Sequence, residues 1–151
     1  MMLIPTYVRG SGIHGIGIFA GREIKKGEQV WTFDPVFDHI ISDKAISYLD
    51  PTQATFLETY AYRDQWRNNA LVLESDNGRF MNHSSDPNCD FTNGDGFAAR
   101  HIEQDEELTC DYAVCCVEYL GRVDFGIETS VWTLVNVPLS AMKIKNSPEA
   151  R

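Results

Sequence analysis

The ten residues Arg79-Phe80-Met81-Asn82-His83-Ser84-Ser85-Asp86-Pro87-Asn88 constrain this chain more than any other stretch. Phe80 and Met81 read as an apolar strand that gives way at once to an Asn-His-Ser run, and Pro87 fixes the backbone at the exit. Such a run is either a loop capped by its own Asx and Ser side chains or the wall of a site. Two other blocks shift the balance toward a site. Upstream is Ile13-His14-Gly15-Ile16-Gly17-Ile18-Phe19-Ala20, and downstream is Glu106-Glu107-Leu108-Thr109-Cys110-Asp111-Tyr112.

In this order and at this separation, the three blocks resemble the SET-domain protein lysine methyltransferases. They match that family's Gly-x-Gly segment, its Arg-Phe-x-Asn-His-Ser-x-x-Pro-Asn segment and its Glu-Glu-Leu-Thr-x-Asp-Tyr segment, over roughly residues 5 to 112. The resemblance implies a mostly β fold with short helices, a β-clip of small sheets around a threaded pseudoknot. In that fold the Asn-His-Ser block passes beneath the segment leading to Asp111-Tyr112, a threading that is exceptional among folds. The implied organisation is a core over residues 1–112 with a variable helical insert at about 38–70. Residues 113–151 then form a C-terminal segment of the same domain that covers the active site or mediates self-association as a homodimer.

The same resemblance implies protein-lysine N-methyltransferase activity with S-adenosylmethionine as donor, S-adenosylhomocysteine as product and no metal. His14, Gly15, Ile16, Gly17, Arg79, Asn82, His83 and Tyr112 would hold the cofactor, and Tyr112 would be the catalytic residue. Tyr60, Tyr62, Phe91, Phe97 and Cys110 would line the substrate lysine channel. The substrate would be a lysine in a basic protein segment such as a histone tail. The alternative is a catalytically silent SET module that binds peptide or cofactor. His83 also has a purely structural reading, as a buried histidine bracing its loop.

The chain departs from the family pattern in several places. Asp34-Pro35 replaces an acidic, tyrosine-containing strand end, and the turn at Asp76-Asn77-Gly78 is short. Asp105 stands where glycine is common, and aspartate tolerates the left-handed conformation better than most residues. Ser85 replaces the cysteine that relatives use, with a downstream Cys-x-Cys, to build a zinc-bound lid. The four cysteines, Cys89, Cys110, Cys115 and Cys116, contain no Cys-x-x-Cys pair, and the adjacent two fit one tetrahedral ion poorly. Reduced thiols of an intracellular, cytoplasmic or nuclear, protein are the expectation.

At 151 residues the chain is one domain, large enough for a single buried core. Its net charge of −9 argues against a polyphosphate partner and for either plain solubility or a basic partner. Residues 113–151 hold four acidic and four basic residues, so the acidic excess lies in residues 1–112. No apolar run is long enough for a membrane span, and the start lacks a secretory signal pattern.

Local patterns predict strands at Thr6–Arg9, Gly15–Ala20, Gln29–Phe33 and Leu71–Glu74, and a hairpin over Phe91–Arg100 with its tip at Asn93–Gly96. Helices are expected over 42–49 and 52–66, the second capped by Thr52 with Phe56, Leu57 and Tyr60 as a buried stripe. Tyr119, Phe125 and Trp132 suit packing over an adenine or a lysine stem, and Val131–Val137 reads as a strand compatible with an oligomer contact.

Overall fold

The computed structural model describes residues 1–116. Expectations for Tyr119, Phe125, Trp132, the strand Val131–Val137 and nearly all of the C-terminal segment lie outside the described residues.

Strand β1 (Thr6–Gly10) and strand β2 (Ile16–Ala20) form an antiparallel hairpin in which Thr6 faces Ala20 and Gly10 faces Ile16. Gly17 to Ala20 are all buried, because β2 has neighbours on both edges: Leu108 N–H donates to Ile18 O and Ala20 N–H to Glu106 O, each at 2.9 Å. β3 (Gln29–Trp31) follows, and then β4 (Asp38–Ile41), α1 (Asp43–Ile46) and α2 (Pro51–Tyr60). β5 (Ala61–Asp64) and β6 (Ala70–Glu74) complete a three-stranded sheet in the order β4-β6-β5. The 38–70 region therefore holds strands as well as helices.

A 3-10 turn (Asn77–Phe80) leads into β7 (Asn82–His83), followed by β8 (Cys89–Asp90) and β9 (Gly96–Ala98). β9 sits between β3 and β8 in a second three-stranded sheet. β10 (Thr109–Cys110) then lies parallel to β7, with Thr109 opposite Asn82 and Cys110 opposite His83, before α3 (Tyr112–Cys115). The core beneath these sheets is built on Ile18, Ile24, Val30, Trp31, Ala98, Ile102 and Leu108.

The parallel pair is far too short to hold itself together by its ladder, and Asn88 supplies the missing stitches. Its side chain is fully buried; Oδ1 accepts from Thr109 N–H at 2.8 Å and Nδ2 donates to Glu107 O at 2.7 Å. A buried amide with both ends satisfied ties the exit of the Asn-His-Ser block to the strand threaded past it.

Several local expectations are corrected. The helix predicted over 52–66 stops at Tyr60, since Ala61–Asp64 contains residues that suit a strand and finds a partner in β6, with Tyr62 opposite Val72. Its cap is Asp50 rather than Thr52: Asp50 accepts from Gln53 N–H, Gln53 returns the contact to Asp50 N–H, and Pro51 takes the first-turn position that needs no donor. Of the expected stripe only Leu57 is buried, while Phe56 is 46% exposed. Asp50→Ala should cost about 1 kcal/mol, read as a lowered urea midpoint with activity per folded molecule unchanged.

Phe80 belongs to the 3-10 turn and not to a strand, because Asp76 caps that turn by accepting from Gly78 N–H at 3.0 Å. The hairpin expected over Phe91–Arg100 has its first strand earlier, at Cys89–Asp90, so Phe91 begins the turn and accepts from Gly94 N–H at 3.1 Å. Asp105 does adopt the left-handed conformation, with φ of 66°. The strands at Thr6, Gly15, Gln29 and Leu71 form within one or two residues of their expected bounds.

Candidate active site

The Asn-His-Ser block and the Gly-x-Gly segment meet through one amide. Asn82 is buried, and its Nδ2 lies 3.1 Å from the carbonyl oxygens of both His14 and Ile16 and 2.8 Å from Glu107 Oε1. Glu107 in turn accepts from Ser11 Oγ–H, whose oxygen lies 2.7 and 2.9 Å from the two carboxylate oxygens. The same Ser11 oxygen accepts from the N–H groups of Ile13 and His14. The loop from Ser11 to Ile16 is thus held from below by a half-buried carboxylate and an amide.

Gly17 is required by this packing. A Cβ there would stand 2.2 Å from Glu107 Oε1 and 3.2 Å from Asn82 Nδ2. Gly15 has the opposite character, with φ of 47° and open space where a Cβ would point. The loop therefore presents bare backbone outward while its inner face is pinned.

Next along the parallel pair stand His83 and Tyr112. The Tyr112 N–H donates to His83 Nδ1 at 3.2 Å, and the two rings pack with centroids 5.4 Å apart. The Tyr112 hydroxyl donates to Met81 O at 2.7 Å. Only part of Tyr112 reaches solvent; its phenolic end is enclosed. Burial, and then the neighbouring thiols and Glu74, push that phenol well above its ordinary pKa, so it remains protonated and able to donate.

A second group surrounds the same phenol. Tyr62 on β5 and Glu74 at the end of β6 neighbour one another, and Cys110 and Cys115 approach with their sulfurs 3.8 Å apart. Burial raises the Tyr62 phenol well above its usual value, with the charges of Glu74, Asp64 and Cys115 adding to it. Glu74 is 7% exposed and its Oε2 has no hydrogen-bond partner among the described residues; burial pushes this carboxyl up to about 8. Sequence reasoning missed Glu74. A charged residue closing the run Leu71-Val72-Leu73 looks like a strand end turned to solvent, and only the pairing with Asp38 on β4 reveals its burial.

Tyr60 packs edge-on against Phe80 at 5.8 Å, and the Arg79 guanidinium lies over Phe80 at 4.8 Å and beside Tyr60 at 6.0 Å. Arg79 is therefore grouped with the expected channel tyrosine. Phe91 lines a cavity together with Pro87, Cys89, Asp90, Ala99, Asp111 and Val114, and its ring meets Trp31 at 5.8 Å. Phe97 is half-buried in β9, opposite Gln29 and Asp90. Among the described residues no three His, Cys, Asp or Glu side chains converge as metal ligands, and no helix is long and apolar enough to cross a membrane.

Comparison with known proteins agrees with this geometry. The family model described as "SET domain" matches residues 15–113. A Plasmodium falciparum protein named, provisionally, histone-lysine N-methyltransferase 1 is 34% identical over 139 residues, which is 83% of this chain and 2% of that protein. Human histone-lysine N-methyltransferase 2B is 33% identical over 112 residues, which is 68% of this chain and 4% of that protein. The chain thus spans a small fraction of the length of these relatives. A crystal structure of a Plasmodium falciparum protein, provisionally a histone methyltransferase, superimposes with a TM-score of 0.50 at 23% identity, over 74% of this chain and 95% of that one. With the family model covering most of its length and the parallel β7–β10 pair in place, the chain belongs to the SET domain family.

Proposed function

We propose that this chain is an S-adenosylmethionine-dependent protein-lysine N-methyltransferase acting on a lysine in a basic protein segment such as a histone tail. The observation that carries the reading is the enclosed Tyr112 phenol, fixed on Met81 O beside the Asn82-braced glycine loop. The acidic excess of residues 1–112 favours a basic substrate.

The residues fit the cofactor. The open face at Gly15 admits close approach to backbone, and the His14–Gly17 loop with the His83 backbone would hold its amino acid and adenine parts. Asn82 has its amide nitrogen committed to His14, Ile16 and Glu107, so it serves the site by shaping the loop. Arg79, placed over Tyr60 and Phe80, would act at the channel side. When bound, S-adenosylmethionine supplies an electrophilic methyl group and leaves as S-adenosylhomocysteine.

The chain's own residues do the rest. A lysine amine attacks only in its neutral form, and aromatic walls from Tyr60 and Tyr62 with a protonated Tyr112 disfavour the ammonium. Because the Tyr112 hydrogen goes to Met81 O, the oxygen's lone pairs remain to contact polarised C–H groups and to orient the amine. Cys110, whose backbone pairs opposite His83, closes the wall behind. Alignment in a narrow channel is the chief source of rate.

Incubation of the chain with labelled methyl donor, a histone panel and cell lysate, followed by mass spectrometry, tests this reading. Donor binding without any transfer to protein would reject it in favour of a silent binding module. Asn82→Ala should weaken donor binding by about tenfold or more, because it removes a buried amide that holds two carbonyls and a carboxylate. A calorimetric dissociation constant equal to that of the parent would remove Asn82 from the site.

A further inference from the structure

We propose that Cys110 and Cys115 form a dithiol modification site, which a peroxide converts to an intramolecular disulfide that arrests the Asp111-Tyr112 segment. The consequence for catalysis rests on the methyltransferase reading above; the modification itself does not.

The two sulfurs are in contact at 3.8 Å, and neither belongs to a disulfide. Cys110 is 5% exposed at the end of β10, whereas Cys115 is half-buried on the last turn of α3. Access therefore favours Cys115 as the thiol that an oxidant reaches. Contact with Cys115, and then burial, hold the Cys110 thiol well above its ordinary pKa, consistent with its acting second. Cys89 is 1% exposed and burial pushes it up to about 12, so it is a poor competitor. Cys116 is the remaining half-buried thiol.

The chemistry balances with a peroxide as the named oxidant. The Cys115 thiolate attacks one oxygen of hydrogen peroxide; the O–O bond breaks, hydroxide leaves and is protonated to water, and Cys115 becomes a sulfenic acid. The Cys110 sulfur then attacks the Cys115 sulfur, forming S–S as the S–OH bond breaks. The departing hydroxide takes the Cys110 proton to give a second water. Two electrons pass from the thiols to the peroxide, and an external thiol reverses the change by exchange.

The ring closed in this way contains Asp111, Tyr112, Ala113 and Val114. Bond formation draws the sulfurs about 1.8 Å closer than their present contact. Cys110 is buried at the end of β10, which Asn88 ties down through Thr109 N–H and Glu107 O, so the movement falls on α3, which begins at Tyr112. That residue's two anchors, its N–H on His83 Nδ1 and its hydroxyl on Met81 O, are the geometry on which methyl transfer depends.

The test treats the purified full chain with hydrogen peroxide, blocks remaining thiols, and maps linked peptides by mass spectrometry beside a methyl-transfer assay. The expected result is a Cys110–Cys115 link with transfer lowered about tenfold, restored by dithiothreitol. Cys115→Ser should lose the link and the peroxide response, each measured against that variant's own untreated rate, whereas Cys116→Ser should keep the response. A Cys115–Cys116 link, persistence of all thiols, or equal inactivation of Cys115→Ser would overturn the proposal. A reduced chain that transfers no methyl yet forms the Cys110–Cys115 link would sustain the modification site and sink the methyltransferase reading instead.

Discussion

Tyr112→Phe is expected to lower the rate of methyl transfer by roughly 100-fold while leaving donor affinity within a few-fold, since an oriented hydroxyl lost from an enclosed site acts mainly on the transition state. The phenylalanine ring can still pack against His83, so the variant isolates the oxygen. What is removed is the hydrogen bond to Met81 O at 2.7 Å, together with the oxygen that the proposed reading turns toward the amine. Leaving the Met81 carbonyl with one fewer partner also costs about 1 kcal/mol of stability, which thermal denaturation would register separately. A single-turnover assay under saturating donor checks the rate. Rates equal to those of the parent would show that Tyr112 is a wall residue and that the chemistry lies elsewhere.

How far the sequence revealed this site depends on the kind of information each residue carries. The three blocks placed Asn82, His83 and Tyr112 together, and the structure joins them through the β7–β10 pair and the Tyr112 contact to His83. The partners of Asn82 were not legible, because the meeting of Ser11, Glu107 and Gly17 depends on chain segments nearly a hundred residues apart. Local patterns did well in the β1–β2 hairpin, whose two strands are partners close in sequence. They failed at Ala61–Asp64, where a helical stripe ran on in sequence but a waiting strand edge on β6 offered more. Asp50 was missed as a cap because Pro51 hid the start of the helix one residue earlier than Thr52 suggested. The Arg79 guanidinium lies over Phe80 and Tyr60, a placement that the motif alone does not specify.

Glu74 is expected to make the fold less stable as pH rises from about 4.5 to about 8, a direction opposite to that of a paired surface carboxylate. Burial is the principal cause of its raised pKa, and Asp76 and Asp38 add to it, while the Met1 amino group and the Tyr62 hydroxyl oppose it. Below about 4.5 the carboxyl is protonated in the folded and unfolded chain alike, and it contributes no pH dependence. Between the two values the unfolded chain ionises and the folded chain does not, so folding takes up a proton and loses stability with each step upward. Above about 8 both states are ionised and the loss levels off at its full size, a few kcal/mol. Glu74→Gln removes this titration while preserving shape, so its stability should exceed that of the parent at pH 9 and approach it at pH 5. The carboxyl stands opposite Asp38 in the β4–β6 ladder, and its Oε2 faces Gly78, so the change is felt where the 3-10 turn leads into the Asn-His-Ser block. Urea denaturation of both chains at several pH values between 5 and 9 decides the matter. Parallel profiles for parent and variant would mean that Glu74 titrates as it does in water and that the buried carboxyl is not the source of the slope.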